Sequence, residues 1–350
     1  MFLLIADCEE NHLLNERTMV CWNLLPLLLR FSFGLALTSF AEDISAHVHV
    51  ATNDQLIAFA RNRDGAFHFA FNPSEITTLI PDLSFTSVQT ETVRSLSIPA
   101  QTSSFNQIDL VFIGGPRNSS ERRLFHAKLQ LNESDETLSV IHLWNRDIAS
   151  LSSVGIECAL GVHPLGTYAI VVGDRGSYIY DMQAINVQYW PLWVKLTDSF
   201  YPKAISVTMD NTVAIGVNVQ KIDTVVPALY LAYLDVQNVT ATPPLSDSID
   251  MIESTSIGAP ISIAMRGCLS NGRFIMVVGF PSEDAVIVYV FEEAVPVAWR
   301  YHRSEEKNIN FGQAVILTNN QTYGVLSSTL GTLPWSTGRV QVGSTLRDDQ

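Results

Sequence analysis

The sequence predicts an all-β protein, a β-propeller of six to seven blades, and three observations carry that prediction. From Ala46 onward the chain falls into short runs rich in Val, Ile, Phe and Tyr, each bounded by Gly, Pro, Asn, Asp or Ser; this is the pattern of strands joined by tight turns. A strand that runs into glycine recurs at long intervals, with the glycines at 114, 173, 216 and 279. Finally, 47% of the 350 residues are hydrophobic and only 16% are charged, against about 25% charged in an ordinary domain. Strands buried between stacked sheets need Val, Ile, Phe and Ala, and polar duty then passes to Ser, Thr and Asn in the turns. The balance of 35 acidic to 21 basic residues, a net charge of −14, excludes nucleic acid as an expected partner, because phosphates demand basic patches.

Leu24 to Ala41 is the most apolar stretch, and Glu42 and Asp43 follow it directly. Ser39-Phe40-Ala41 sets small residues at the two positions that a signal peptidase reads. Residues 1–41 are therefore read as a secretory signal cleaved near Ala41, with an apolar N-terminal segment as the other reading. Arg30 interrupts the stretch, and Met1 to Asn23 is longer and more acidic than the usual leader start; initiation at Met19 would make residues 1–18 a gene-model extension. A membrane anchor fits less well, since the stretch barely reaches the roughly 20 apolar residues of a span and holds a charge inside it. No other segment approaches that length, so no stable span is expected in the mature chain. No Pro/Gly/Ser-rich linker divides residues 46–350, and residues 42–350 read as one propeller domain.

Among the strand runs, His47 to Val50, Ala66 to Phe71, Asp109 to Ile113, Tyr168 to Val172 and Ala285 to Phe291 are the clearest. In Ala66 to Phe71, alternation places Phe67, Phe69 and Phe71 on one face and His68 on the other. Val154 to Gly173 aligns without a gap on Pro260 to Gly279 at an offset of 106, which brings Gly161 onto Gly267 and Gly166 onto Gly272. In this register Cys158 and Cys268 take different positions, so no disulfide is expected between them; Cys8 and Cys21 would leave with the signal. The anchor glycines are 59, 43 and 63 residues apart. Units around Leu56 to Phe71 and from Phe311 to Val342 extend the series to six. Units of roughly 40–60 residues, each with three or four short strands, suit propeller blades. One such sheet cannot bury both faces alone, whereas sheets stacked around an axis bury them between neighbours. A β-sandwich, or two, is the competing architecture. The last unit ends at Arg339 to Val342 with a short polar tail, and this predicts a chain that stops before the ring is complete, with a seventh blade missing.

Phe311-Gly-Gln-Ala-Val315, Val277-Val-Gly-Phe-Pro281, Phe112-Ile-Gly-Gly-Pro116 and Val288-Tyr-Val-Phe291 together resemble the FG-GAP repeat of integrin-α-like propellers. The resemblance covers residues 46–342 as scattered fragments. It implies a propeller ectodomain of the adhesion type. The calcium loops of that family alternate Asp and Asn, and no such run occurs here; Asn62-Arg-Asp-Gly65 offers too few carboxylates. Calcium is not carried over, and no cofactor is expected.

Nucleophile elbows, zinc helices, P-loops and dinucleotide fingerprints are absent from the sequence, and no catalytic residue is nominated. His47 and His49 share a strand face, and His68 could join them from a neighbouring strand to hold zinc; solvent-facing imidazoles opposite a core of Val48 and Val50 are the plainer reading, and no metal is expected. Asp174-Arg-Gly176 and Asp181 read as turn residues, with ligand binding as the alternative. Glu283-Asp284 and Glu292-Glu293 read as solvated turns. The aromatic clusters Tyr189-Trp190 with Trp193, Trp299-Arg300-Tyr301 and Trp335 are assigned to packing between blades, with partner binding as the alternative. Asn118, Asn132, Asn238 and Asn320 head glycosylation sequons in polar stretches, where a glycan fits.

The expected function is that of a non-enzymatic, extracellular glycoprotein, secreted or at the cell surface, that presents loops to an unidentified protein or glycan partner. The alternative is a secreted propeller enzyme, a hydrolase or lyase, with its site at the axial channel. If the N-terminus is no signal, an intracellular scaffold is the third reading.

Overall fold

The computed structural model describes residues 48–53, 56–61, 67–71, 79–80, 92–100, 106–115, 122–132, 137–147, 158–174, 176–190, 199–220, 225–234, 261–268, 273–292, 295–304, 310–317, 322–326 and 335–339. They form strands and turns, with a single 3-10 turn at Pro281–Glu283. Six antiparallel sheets follow one another along the chain, and every strand pairs with its sequence neighbour.

The first sheet is β1 (Val48–Thr52), β2 (Leu56–Arg61), β3 (Phe67–Phe71) and β4 (Leu79–Ile80). The second is β5 (Thr92–Ser97), β6 (Gln107–Gly115), β7 (Arg123–Asn132) and β8 (Thr137–Asp147). The third is β9 (Cys158–Val162), β10 (Tyr168–Gly173), β11 (Ser177–Asp181) and β12 (Asn186–Trp190). The fourth comprises β13 (Ser199–Val207), β14 (Thr212–Gln220) and β15 (Val225–Tyr233). The fifth is β16 (Ser262–Cys268), β17 (Arg273–Phe280), β18 (Ala285–Glu292) and β19 (Val295–Arg303). The sixth holds β20 (Ala314–Leu317), β21 (Thr322–Leu326) and β22 (Trp335–Arg339).

The first strand of each sheet lies beside the first strand of the next, and β20 lies beside β1. The fold is therefore a β-propeller, with its first strands innermost. The first and the last described sheets are neighbours through packing.

Side-chain alternation explains the apolar strands. In β10, Tyr168, Ile170 and Val172 join the core shared with sheet 4, while Ala169 and Val171 join the core shared with sheet 2. Both faces are covered, so the whole strand Tyr-Ala-Ile-Val-Val-Gly is buried. β17 does the same: Phe274, Met276, Val278 and Phe280 face sheet 4, and Ile275 and Val277 face sheet 6. Such burial stabilises by about 1.5–3 kcal/mol for each large aliphatic or aromatic side chain. Between sheets 1 and 2, Phe67 meets Phe112 edge-on at 4.8 Å and Phe112 stacks on Phe125 at 4.8 Å.

The anchor glycines occupy the second strand of four successive sheets, and the offset of 106 lays β9 and β10 onto β16 and β17. Gly216 departs from the expected strand end. It sits inside β14, opposite Ala204 at the bulge that shifts the pairing between Pro202 and Ala204. Cys158 is buried and forms no disulfide, in keeping with the register argument.

Innermost strands do not share a backbone ladder across the axis, and serines bridge them instead. Ser95 accepts the Leu160 N–H at 3.1 Å, Ser206 accepts the Met265 N–H at 3.0 Å, and Ser262 donates to the Gly312 carbonyl at 2.9 Å. Each bond ties one sheet to the next at the point where the main chain cannot.

Candidate functional site

The six innermost strands enclose an axial space of about 110 Å³. Its walls are main chain and small aliphatic groups, among them Leu96, Ile98, Leu160, Ile205, Ile263 and Ile316, with Ser97 and Ser206. Among the described residues, Arg266 is the charged one in the lining, and its Nε donates to the Leu317 carbonyl at 3.0 Å.

The turns after β9 and β13, next in the chain to the lining residues Val162 and Val207, hold His163 and Asp210. Both are engaged by their own turns. The Leu165 N–H, which can only donate, points at His163 Nδ1 at 3.3 Å, and Thr167 Oγ1 lies 3.1 Å from the same nitrogen. The ring proton is thereby assigned to Nε2, which faces the Met209 carbonyl at 3.4 Å. Asp210 Oδ1 accepts from the Thr208 hydroxyl and from the Thr212 N–H. Tyr168 donates to Asn211 Oδ1 at 2.6 Å and fixes the same corner. These groups shape the turns and leave no basic nitrogen open to a substrate.

Burial pushes the His163 pKa below 6.5, opposed by the hydrogen bond to Met209. The unfolded chain then takes up the proton first as pH falls. The stability His163 contributes is complete above pH 6.5 and is lost as pH falls below that value through the folded-state pKa. In urea unfolding of the full chain, the wild type is expected to lose more stability between pH 7 and pH 5 than His163→Gln does; parallel curves would show that His163 is not the group responsible.

A second polar constellation lies between sheets 2 and 3. His126 on β7 places Nε2 2.9 Å from Asp109 Oδ1 on β6 and Nδ1 3.1 Å from the Tyr180 hydroxyl on β11. All three are buried. Burial above all, aided by the carboxylates of Asp109 and Asp181 and opposed by Arg146, raises the Tyr180 pKa to about 12. The phenol therefore keeps its proton and donates it to Nδ1, and Nε2–H donates to Asp109. The set resembles a charge-relay triad in order only: its terminal oxygen is a sealed phenol, so it fastens the sheets.

The same seam continues outward. Strand pairing sets Asp109, Lys128 and His142 in one row across β6, β7 and β8, and Val111, His126 and Trp144 in the next. Trp144 packs on His126 at 4.8 Å and on His142 at 5.4 Å. Arg146 reaches across to sheet 3, with Nε and Nη2 donating to the Ile185 carbonyl at 3.2 and 3.0 Å.

Of the residues singled out in the sequence, His47, Asn118, Asn238, Asn320, residues 62–65 and Trp193 lie outside the described residues, as does the apolar N-terminal segment. His49 pairs with Ala60 on β2, whereas His68 pairs with Phe59, so the register does not bring the two into one row. No group of three or more potential metal ligands occurs among the described residues. Asn132 is exposed at the end of β7. Asp181 is a turn residue whose Oδ1 accepts from the Gln183 and Ala184 N–H groups, each at 2.8 Å.

Two expectations need correction. Asp284 is buried, in left-handed backbone with φ 52°, and its Oδ1 accepts the Phe311 N–H at 3.1 Å; it ties sheet 5 to sheet 6 and is not a solvated turn. Tyr301 is exposed on the outer strand β19, not packed between blades. Among the described residues, Phe67, Phe112, Phe125, Phe274, Phe291 and Tyr289 are the buried rings that pack between strands and sheets. The Asp109–His126–Tyr180 set was not found from sequence, because its members are 17 and 54 residues apart. The alternation His142-x-Trp144-x-Arg146 is the signal in the sequence that could have pointed to this face, and it was not singled out there.

No protein-family model matches this chain, and no curated protein matches it. Among solved structures it is similar to the β-propeller domain of Cps50 (Swd1) from Myceliophteria thermophila, at 11% identity and a TM-score of 0.44, over 83% of this chain and 96% of that one. It is also similar to Porphyromonas gingivalis dipeptidyl peptidase 4, at 9% identity and a TM-score of 0.39, over 88% of this chain and 48% of that one. The fold defines a β-propeller; neither similarity carries an argument about activity.

Proposed function

We propose that this protein is an extracellular β-propeller of the binding or adhesion type, which presents loops to a protein or glycan partner without catalysing a reaction. The observation that carries this reading is the axial lining. Among the described residues its side chains are mostly aliphatic, and the cation among them, Arg266, is engaged by the Leu317 carbonyl. The titratable groups in the turns after β9 and β13, His163 and Asp210, are held by Leu165, Met209, Thr208 and Thr212. A propeller hydrolase or lyase would need carboxylates or a His/Asp group aimed at the axis. The FG-GAP resemblance gains support from one contact: the Phe311-Gly312 turn seats directly on Gly279, Phe280 and Ala285. Secretion is supported by the apolar segment before Glu42 and by the exposure of Asn132.

The test is expression of the full chain in a secretory cell. Recovery from the medium or the cell surface, with mobility shifted by a glycosidase, and saturable binding of the purified protein to cell surfaces are the expected results. A cytosolic, unglycosylated product, or turnover of ester, peptide or glycoside substrates by the purified protein, would overturn the reading.

A further inference from the structure

We propose that the outer seam between sheets 2 and 3 is a binding site for a carboxylated sugar, centred on Trp144. This rests on the reading of the protein as a binding module. On β8, His142, Trp144 and Arg146 alternate, so their side chains rise from one face at steps of about 7 Å. The two outer residues are exposed and the indole is half-buried. Lys128, also half-buried, stands directly beside His142 on β7.

The indole is fixed by its contacts with His126 and His142. His126 is itself locked by Asp109 and Tyr180. Arg146 is fixed as well, through Ile185 and the Asn145 carbonyl at 3.1 Å. A platform held this firmly loses little freedom when a ligand arrives. A pyranose ring presents a flat array of C–H bonds that stack on an aromatic face, and its hydroxyls need donors and acceptors close by.

The charge on this face selects a carboxylated sugar over a neutral one. Lys128 and Arg146 add positive charge to the face that carries the indole, in a chain whose net charge is −14, and the acid in the row of Lys128, Asp109, is largely buried and held by His126. An acidic peptide would carry the same charge, but it would dock by extending the sheet along β8. That strand is irregular: the register shifts opposite Lys128 and Leu129, leaving Ile141 unpaired. A bulge of this kind breaks the ladder that an added strand needs.

The experiment uses the purified full chain, with 3′-sialyllactose as the carboxylated probe and lactose as its neutral counterpart. Binding is read by tryptophan fluorescence and by saturation transfer to the sugar protons. The carboxylated probe is expected to bind at least about tenfold more tightly than lactose, as one ion pair at a partly desolvated site allows. Trp144→Ala and Lys128→Ala are each expected to weaken it about tenfold or more, while Trp144→Phe, which keeps a flat ring, and Lys128→Arg, which keeps the charge, retain it. Tyr301→Ala, on the far side of the molecule, serves as the folded control. Equal binding of the two sugars, binding unchanged in Trp144→Ala, or tighter binding of hexaglutamate through the same residues would overturn the proposal. Cell-surface binding that survives Trp144→Ala would likewise overturn this site while leaving the binding-module reading intact; a wild-type chain that binds no cells is the failure of that reading instead.

Discussion

Gly279→Ala is expected to destabilise this protein by about 3–5 kcal/mol, enough to unfold a domain near the lower end of ordinary stability. An added Cβ would stand 2.0 Å from the Gly312 carbonyl oxygen and 2.5 Å from Ser262 Oγ. The serine can turn away, but the carbonyl is main chain and cannot. Gly312 is the reciprocal case: its φ is +94°, and a Cβ there would meet the Ala285 carbonyl at 2.5 Å. Gly312→Ala adds the left-handed backbone penalty of about 1–2 kcal/mol to the overlap. Both glycines exist so that the turn before β20 can lie on the end of β17. Gly267 supplies the control, because a Cβ there meets nothing within 4 Å. Gly267→Ala is expected to be neutral or to stabilise by about 0.5–1 kcal/mol. Denaturant midpoints of the three variants check this directly, and a wild-type midpoint for Gly279→Ala would mean that the two turns do not pack as described.

The second large effect is expected at His126. Removing the imidazole leaves the largely buried Asp109 carboxylate without its hydrogen-bond donor, and an unsatisfied buried charged acceptor typically costs about 3 kcal/mol or more. Tyr180→Phe removes only the donor to Nδ1, for which about 1–3 kcal/mol is expected. The two changes share one network, so the double variant should cost clearly less than the sum of the single ones. Tyr180 also gives a spectroscopic handle. Its pKa is raised to about 12 by burial, so folding is favoured below pH 10 and that contribution is lost as pH rises through about 12. The ultraviolet phenolate titration should therefore contain a late step that Tyr180→Phe removes. Burial raises Tyr289 too, and its step should remain. Additive losses, or a titration unaltered in Tyr180→Phe, would refute the network.

Much of the architecture was legible in the chain because local chemistry dictated it. Strand runs such as Tyr168 to Val172 and Ala285 to Phe291 carry only residues that suit a strand covered on both faces. Gly173 and Gly279 mark equivalent second strands, and a glycine needed for close main-chain approach leaves its trace at a fixed place in the repeat. The site was much less legible. Asp284 looks like any acidic turn residue until Phe311, 27 positions later, is brought to its carboxylate. His126 could not be distinguished from a solvated histidine, because Asp109 and Tyr180 reach it only across strand pairing and across a seam between sheets. The spacing of His142, Trp144 and Arg146 sets them on a common face, but their neighbours Lys128 and His126 come from another strand.

By itself, then, the sequence determined the strands, their sheet-by-sheet order and the burial of their faces, since each depends on residues close together in the chain. Only the tertiary structure decided which polar groups are engaged within the fold and which face outward. It seals Asp109, His126, Tyr180 and Asp284 inside the seams, engages His163 and Asp210 within their own turns, and leaves Trp144 half-buried on the face that carries Lys128 and Arg146. The physical reason is that the cost of burying a polar group is decided by its partner, and in a propeller that partner belongs to a neighbouring strand or to the next blade.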